Sequence, residues 1–331
     1  MPAPMVSYRQ VGNSGLRVSF PILGGMSLGS PKWNPWILPE DKSLEVLKAA
    51  WDAGINTYDT ANLYSNGESE RIIGKFITQN NIPRENIVII TKVLCLVSDD
   101  VGSRAAFDPS MPNTRTYVNQ GGLSRTAIFN QVEATLARLN TAYLDVLMVH
   151  AADPATPFEE TMKALHDLVI AGKVRYIGAS NLCTWQFAEM NHIAELKGWT
   201  QFICIEIEHS LLYRPEEKEL FQYCKYKGIG VLAYSPLANG HLARPFGGQT
   251  LRTENAGVFA KKIKESDKEI IKRVEQLAKK YSWKMSQVAL AWSGSKVTSP
   301  IVGFNTSREV YSRGKNLSDD DAAFLEELRV P

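Results

Sequence analysis

The chain has only four cysteines, Cys95, Cys183, Cys204 and Cys224, with no CxxC pair among them. Spacing that wide excludes a disulfide framework and a thiolate zinc site, so the cysteines read as reduced, mostly buried thiols and no metal is expected. An excess of one charge sign is also missing: 37 Lys and Arg against 35 Asp and Glu give a formal net charge of +2. Neither a nucleic acid nor an anionic membrane is therefore expected as partner. No apolar run reaches the roughly 18 residues that a membrane span requires. The opening MPAPMVSYRQ lacks the apolar stretch of a secretory signal, so a cytoplasmic globular protein is expected. Also missing is a GxGxxG between a strand and a helix; GIGVLAY has only two glycines and opens a strand. A dinucleotide, if bound, must be held by another route.

What is present is alternation. Short β-branched runs at 22–25, 55–59, 87–92, 144–150, 174–179, 202–207, 230–234 and 300–302 read as strands. Helical stretches between them begin near Pro39, Glu68, Ser124, Pro157, Thr184, Pro215, Asp267 and Ser307. Ser124 precedes an apolar-periodic run, while Pro157 and Pro215 are followed by acidic first turns, both helix-start signals. Eight strand–helix pairs predict an α/β fold, a closed (β/α)8 TIM barrel, forming one domain over 1–331. The length alone would suggest two domains, but α/β barrels are the usual exception.

Three segments break the alternation. YRQVGNSGLRVSF predicts an N-terminal β-hairpin turning at residues 13–15, a plug for the barrel floor. The stretches 94–122 and 237–264 predict long loops on the carboxyl-terminal face, where barrel enzymes shape their sites.

Asp59, Lys92 and His150 close three successive strands, INTYD, IVIITK and LDVLMVH, and Tyr64 follows just after the first of these. Side chains leaving the carboxyl ends of parallel strands converge on one face. An acid, a phenol, an ammonium and an imidazole gathered there can protonate a carbonyl oxygen without a metal. A free tyrosine titrates near 10 and holds its proton tightly at neutral pH. The expectation is that Lys92, oriented by Asp59, brings Tyr64 toward pH 7, about three units or roughly 4 kcal/mol. His150 would hydrogen-bond the carbonyl oxygen. Nothing in the pattern resembles a covalent nucleophile, so hydride from a nicotinamide fits best.

Over nearly its full length the chain resembles the aldo-keto reductase superfamily. The segments that carry the resemblance are NTYDTANLYSNGESERIIG, IVIITKV, QVEATLARLNTAYLDVLMVH, GKVRYIGASN, SLLYR, GIGVLAYSPLANG and SPIVGFNTSREV. SPKWNPW, YVNQGGLSR and the LEELRVP ending are similar to fungal versiconal hemiacetal acetate reductase-like and aryl-alcohol dehydrogenase-like members. The resemblance implies NADPH (or NADP+) lying across the carboxyl face of the barrel. It implies catalytic roles for Asp59, Tyr64, Lys92 and His150. Ser180 and Asn181 would hold the nicotinamide carboxamide, and Tyr234 would stack on the ring. Ser235, Pro236, Leu237, Asn239 and Gly240 would wrap the pyrophosphate, with Gly25 and Met26 beside the cofactor. Gly303, Asn305, Arg308 and Glu309 would meet the adenosine end, and Arg252 lies where some relatives supply a phosphate-binding arginine. Arginine suits that task because its planar fork takes two oxygens at once.

Several positions depart from the pattern. Glu206 stands where the family usually has glutamine, and the expectation is that an ionised Glu206 accepts from the carboxamide NH2. Glu309 and Arg313 replace residues common near the adenosine. His209 replaces a frequent tyrosine and is read as a packing residue. Ala151 follows His150 where relatives carry a larger side chain, which would widen the substrate pocket. Trp33 and Trp36 are candidates to line that pocket.

The implied activity is reduction of an aldehyde or ketone with aromatic or apolar flanks. The alternatives are an aryl-alcohol dehydrogenase working in the oxidative direction, or a nicotinamide-sensing, non-catalytic subunit like the potassium-channel β subunits. The intact His150 counts against the latter.

Overall fold

In the computed structural model, residues 6–255, 257, 262–304 and 315–328 are described. Strands β1 (Ser7–Gln10) and β2 (Arg17–Phe20) pair antiparallel. The intervening turn closes with Val11 N donating to Leu16 O at 2.9 Å, and Gly12 takes a left-handed φ of +54°. Asn13 N donates to Gly228 O at 2.7 Å, which seats the hairpin tip on the amino-terminal end of the barrel. A Cβ on Gly12 would lie 2.3 Å from that same carbonyl, so glycine permits the close approach as well as the φ.

The barrel is built from β3 (Ile22–Gly24), β4 (Thr57–Asp59), β5 (Val88–Val93), β6 (Leu144–Val149), β7 (Val174–Ser180), β8 (Phe202–Glu208), β9 (Gly230–Tyr234) and β10 (Ser299–Val302). All pairings are parallel, and β10 closes the ring by pairing with both β3 and β9. The expected (β/α)8 barrel with its N-terminal hairpin is the fold observed.

Around the barrel run α1 (Glu40–Asp52), α2 (Glu68–Gln79), α3 (Arg125–Leu139), α4 (Phe158–Ile170), α5 (Thr184–Lys197) and α6 (Leu220–Lys227). They are followed by the single turn α7 (Leu251–Glu254), then α8 (Glu265–Tyr281), α9 (Met285–Lys296) and α10 (Asp319–Glu326). Ser124 caps α3 as expected, its Oγ accepting from Ala127 N at 3.2 Å. Pro215 opens only a short 3-10 turn, and α6 proper begins at Leu220. The helix expected near Ser307 falls outside the described residues.

Helix α9 is an addition to the expected pattern. Met285, Val288, Ala289 and Trp292 fall at i, i+3, i+4 and i+7 and are buried on one face, with Leu290 buried beside them, a helical spacing that the strand–helix alternation did not include. Helices α2 and α3 come together where Gly74 meets the end of α3: a Cβ there would lie 2.6 Å from Leu139 O. Gly74→Ala should therefore lower stability by about 1–3 kcal/mol through overpacking, seen as a lower urea midpoint at unchanged slope. A midpoint equal to wild type would show that the two helices can part without strain.

Candidate active site

Strand side chains alternate, and the barrel interior uses every second residue. Val88 and Ile90 of β5, Val146 and Met148 of β6, Cys204 of β8 and Leu232 of β9 form one interior cluster with Val11 and Val18 of the hairpin. Ile89, Val93, Leu147, Val149, Ile205 and Ile207 pack outward against the helices. The next interior steps are Lys92, His150, Glu206 and Tyr234, so apolar layers give way to polar groups at the carboxyl-terminal end.

Lys92 is fully buried. Its Nζ donates to both oxygens of Asp59 at 2.8 and 2.6 Å and to Thr60 O at 3.0 Å. The ammonium lies 5.5 Å from the centre of the Tyr64 ring. Tyr64 opens a short 3-10 turn in which Ser65 and Asn66 take left-handed φ values of 50° and 51° and Gly67 one of 90°. Such a run persists only where its surroundings hold it. Asn66 Nδ2 supplies that hold by donating to Ser103 O at 2.8 Å, which ties the tyrosine turn to the long loop after β5. The Tyr64 and His150 rings meet edge to face, 6.0 Å apart.

The electrostatics differ from expectation at Tyr64. The nearby Lys92 charge favours the phenolate, but burial outweighs it, and Asp59 and Glu206 also oppose it, so the phenol is pushed above its usual value. Tyr64 is thus a firmly neutral phenol, not one brought toward pH 7. Burial sets Lys92 against its neighbours, yet the two carboxyl groups prevail and hold the ammonium charged beyond the ordinary lysine range. Burial and the Lys92 charge press His150 down to about 3, so its imidazole is neutral throughout the physiological range. Any activity limb near the ordinary histidine value therefore has another origin.

Glu206 also departs from expectation. Its side chain is turned toward Lys92, with Oε2 at 3.1 Å from Nζ. Burial and Asp59 push its carboxyl well above the usual range. An ionised carboxylate free to accept from a carboxamide does not describe this residue.

Above these groups lies a cavity of about 1070 Å³. It is lined by Met26, Trp33, Asp59, Tyr64, His150, Ser180, Asn181, Glu206, Tyr234, Ser235, Pro236, Leu237, Asn239, Gly240, Arg252 and Gly303. Asn181 is left-handed at φ 52°, with Oδ1 accepting from Tyr234 Oη at 2.9 Å and Nδ2 donating to Ser180 Oγ at 2.9 Å. Ser235, Asn239 and Gly240 are left-handed too, curling the loop after β9 over the cavity rim. Arg252 donates to Asn239 Oδ1 at 3.2 Å and stacks over Trp36 at 4.6 Å, joining that loop to the one after β3.

Besides Lys92, which is fully buried beneath the floor, three expected residues do not line the cavity. Gly25 sits beneath it, where a Cβ would lie 2.8 Å from Asp59 O, so its smallness serves packing. Trp36 is buried behind the wall under Arg252, and Ala151 lies off the cavity past the end of β6. Asn305, Arg308, Glu309 and Arg313 are outside the described residues. His209 is fully buried, stacked on Trp292 and bonded to Glu217 at 2.7 Å, in keeping with a packing role. Among the described residues no cluster of His, Cys, Asp and Glu could hold a metal ion. None of their helices is long and apolar enough to cross a membrane.

Ser27, Phe107, Tyr213, Arg244, Lys284 and Gln287, none of them among the expected site residues, also line the cavity. Lys284 and Gln287 bracket the start of α9, with Lys284 N donating to Gln287 Oε1 at 3.0 Å. A glutamine three residues after a helix start is the readable signal there.

Comparison with known proteins agrees with this geometry. The family model described as "Aldo/keto reductase family" matches residues 22–327. An aldo-keto reductase of Metarhizium robertsii is 49% identical over 98% of this chain and 92% of that protein. Versiconal hemiacetal acetate reductase of Aspergillus parasiticus is 43% identical over 98% of each. A Schizosaccharomyces pombe protein provisionally named an aryl-alcohol dehydrogenase is 42% identical over 98% of this chain and 96% of its own length. The chain belongs to the aldo/keto reductase family. It is an oxidoreductase of small carbonyl compounds, served by a nicotinamide cofactor.

Proposed function

We propose that this protein uses NADPH to reduce an aldehyde or ketone with aromatic or apolar flanks, and that Tyr64 is the general acid. The observation that carries the reading is the fully buried Lys92, charged and bonded to Asp59, beside the Tyr64 phenol at the foot of the cavity. The cavity wall suits a nicotinamide nucleotide. Tyr234 offers an aromatic face, Ser180 and Asn181 offer amide partners, and Ser27 Oγ is buried without a hydrogen-bond partner among the described residues. When bound, the reduced nicotinamide supplies hydride to the carbonyl carbon.

The chain's own part is to hold and move one proton. Tyr64 keeps its proton while the carbonyl is intact. It yields the proton as negative charge gathers on oxygen, because an alkoxide is a stronger base than a phenolate. Lys92 then stabilises the phenolate left behind, and Asp59 keeps the ammonium in place. Neutral His150 can donate one N–H to the substrate oxygen and so fix its approach. Trp33, Leu63 and Phe107 supply an apolar wall for the substrate's flanks.

The test is direct: protein, NADPH and a panel of aromatic aldehydes, followed by loss of cofactor absorbance. Steady consumption supports the reading; tight NADPH binding without turnover on any carbonyl would move the protein to the sensing class. Arg252, half-buried and bonded only to neutral Asn239 among the described residues, fits an anion at the junction of the cofactor and substrate loops. Arg252→Met should weaken NADPH about tenfold in a fluorescence titration, the scale of one charge-assisted hydrogen bond. Unchanged affinity would remove Arg252 from the nucleotide site.

A further inference from the structure

Two carboxyl groups and one ammonium meet beneath Tyr64, all three side chains no more than 3% exposed. An ammonium has three donors. Lys92 Nζ is chelated by both oxygens of Asp59 and donates to Thr60 O, so Asp59 holds the closer claim on its charge. Glu206 Oε2 lies 3.1 Å from the same Nζ as an ion-pair contact, not an aligned hydrogen bond. A second ionised carboxylate here would leave the buried trio with one net negative charge, against which burial acts strongly. It would also sit beside the phenol that has to become an anion. Asp59 and Glu206 are within side-chain hydrogen-bonding contact of each other.

We propose that Glu206 is held as the neutral acid, its O–H donating to Asp59, so that the pair shares a single negative charge across Lys92. Glu206 is then a positioning residue that keeps the cage under Tyr64 electrically neutral. Burial, and then the charge of Asp59, raise its carboxyl in the direction this requires. The titratable groups facing Glu206 are Asp59 from β4, Tyr64 from the following turn, Lys92 from β5, neutral His150 at the end of β6 and Tyr234 from β9, with Cys204 and Glu208 on its own strand. β7 presents Ser180 at the paired position, which does not titrate.

The consequence rests on the proposed nicotinamide site. As pH rises through the raised Glu206 value, its proton leaves and a buried negative charge appears beneath the ring. The oxidised ring is positive and the reduced ring neutral, so NADP+ should tighten relative to NADPH. Turnover in the reductive direction should fall over the same range, since a phenolate is disfavoured beside that charge.

The experiment titrates NADP+ and NADPH separately into the full chain and its Glu206→Gln variant, from neutral to alkaline pH. For wild type, the NADPH-to-NADP+ ratio of dissociation constants should rise by about tenfold, the scale of one partly screened buried charge pair. In Glu206→Gln the ratio should stay flat. A flat ratio in wild type, or the same rise in Glu206→Gln, overturns the proposal. Failure of either nucleotide to bind at any pH removes the cofactor reading, and this inference with it. An infrared difference spectrum of wild type between the same pH values gives a check that needs no variant. Loss of a carboxylic-acid C=O band on raising the pH is expected, and a spectrum without such a band overturns the shared proton.

Discussion

Tyr64→Phe should reduce kcat by about 10²–10⁴-fold, the span expected when a general acid is removed, while NADPH still binds. The asymmetry follows from the hydroxyl, which is the part of Tyr64 that interacts with Lys92, while the ring stays packed with Trp33, Trp36 and Leu63. Phenylalanine keeps that packing and deletes only the proton donor, so loss through unfolding is not expected. Because burial already holds Tyr64 neutral, wild-type turnover should show no alkaline limb belonging to the ground-state phenol near its ordinary value. Rapid mixing of the NADPH-loaded variant with aldehyde isolates the chemical step. Hydride transfer at the wild-type rate would reassign the acid.

Lys92→Met should damage folding and turnover together. The ammonium is the counter-charge to Asp59 at 2.6 Å in a region closed to solvent, and removing one partner of a buried pair costs about 3–5 kcal/mol. Burial already raises Asp59 above its unfolded value despite Lys92, and in the variant it rises further because the compensating charge is gone. A group raised on folding contributes fully below its unfolded value, about 4, and loses that contribution as pH rises through the folded value. The stability gap to wild type should therefore be widest at neutral pH and narrow in acid, as followed by urea unfolding at several pH values. A gap that stays constant with pH would mean that Asp59 does not depend on Lys92. Turnover should fall about 10²-fold or more, because a phenolate at Tyr64 would then face carboxyl groups without a cation.

Much of the site was legible because a strand repeats every two residues. Val88, Ile90 and Lys92, or Val146, Met148 and His150, are spaced so that the last polar residue inherits the inward direction of the apolar ones before it. The strand ends, the helix cap at Ser124 and the hairpin are local features, written in neighbouring residues. Helix α9 carries a helical spacing at Met285, Val288, Ala289 and Trp292, but as a second helix between two strands it falls outside the one-helix-per-strand alternation. Gly25 is placed beside the cofactor by the family resemblance, and Trp36 at the substrate by its loop after the first barrel strand. Which of them meets the cavity depends on Asp59 O and Arg252, residues distant in sequence.

The charge states lay furthest from sequence. The order of residues determined that an acid, a phenol, an ammonium and an imidazole would gather at one end of a parallel barrel, since strand period and βα alternation act over short spans. Only the tertiary structure decided that Tyr64 is neutral, that His150 is held uncharged, and that Glu206 sits beside a Lys92 already chelated by Asp59. Those outcomes turn on desolvation and on which charges meet around one nitrogen, and both are set by residues from different strands closing off the water between them.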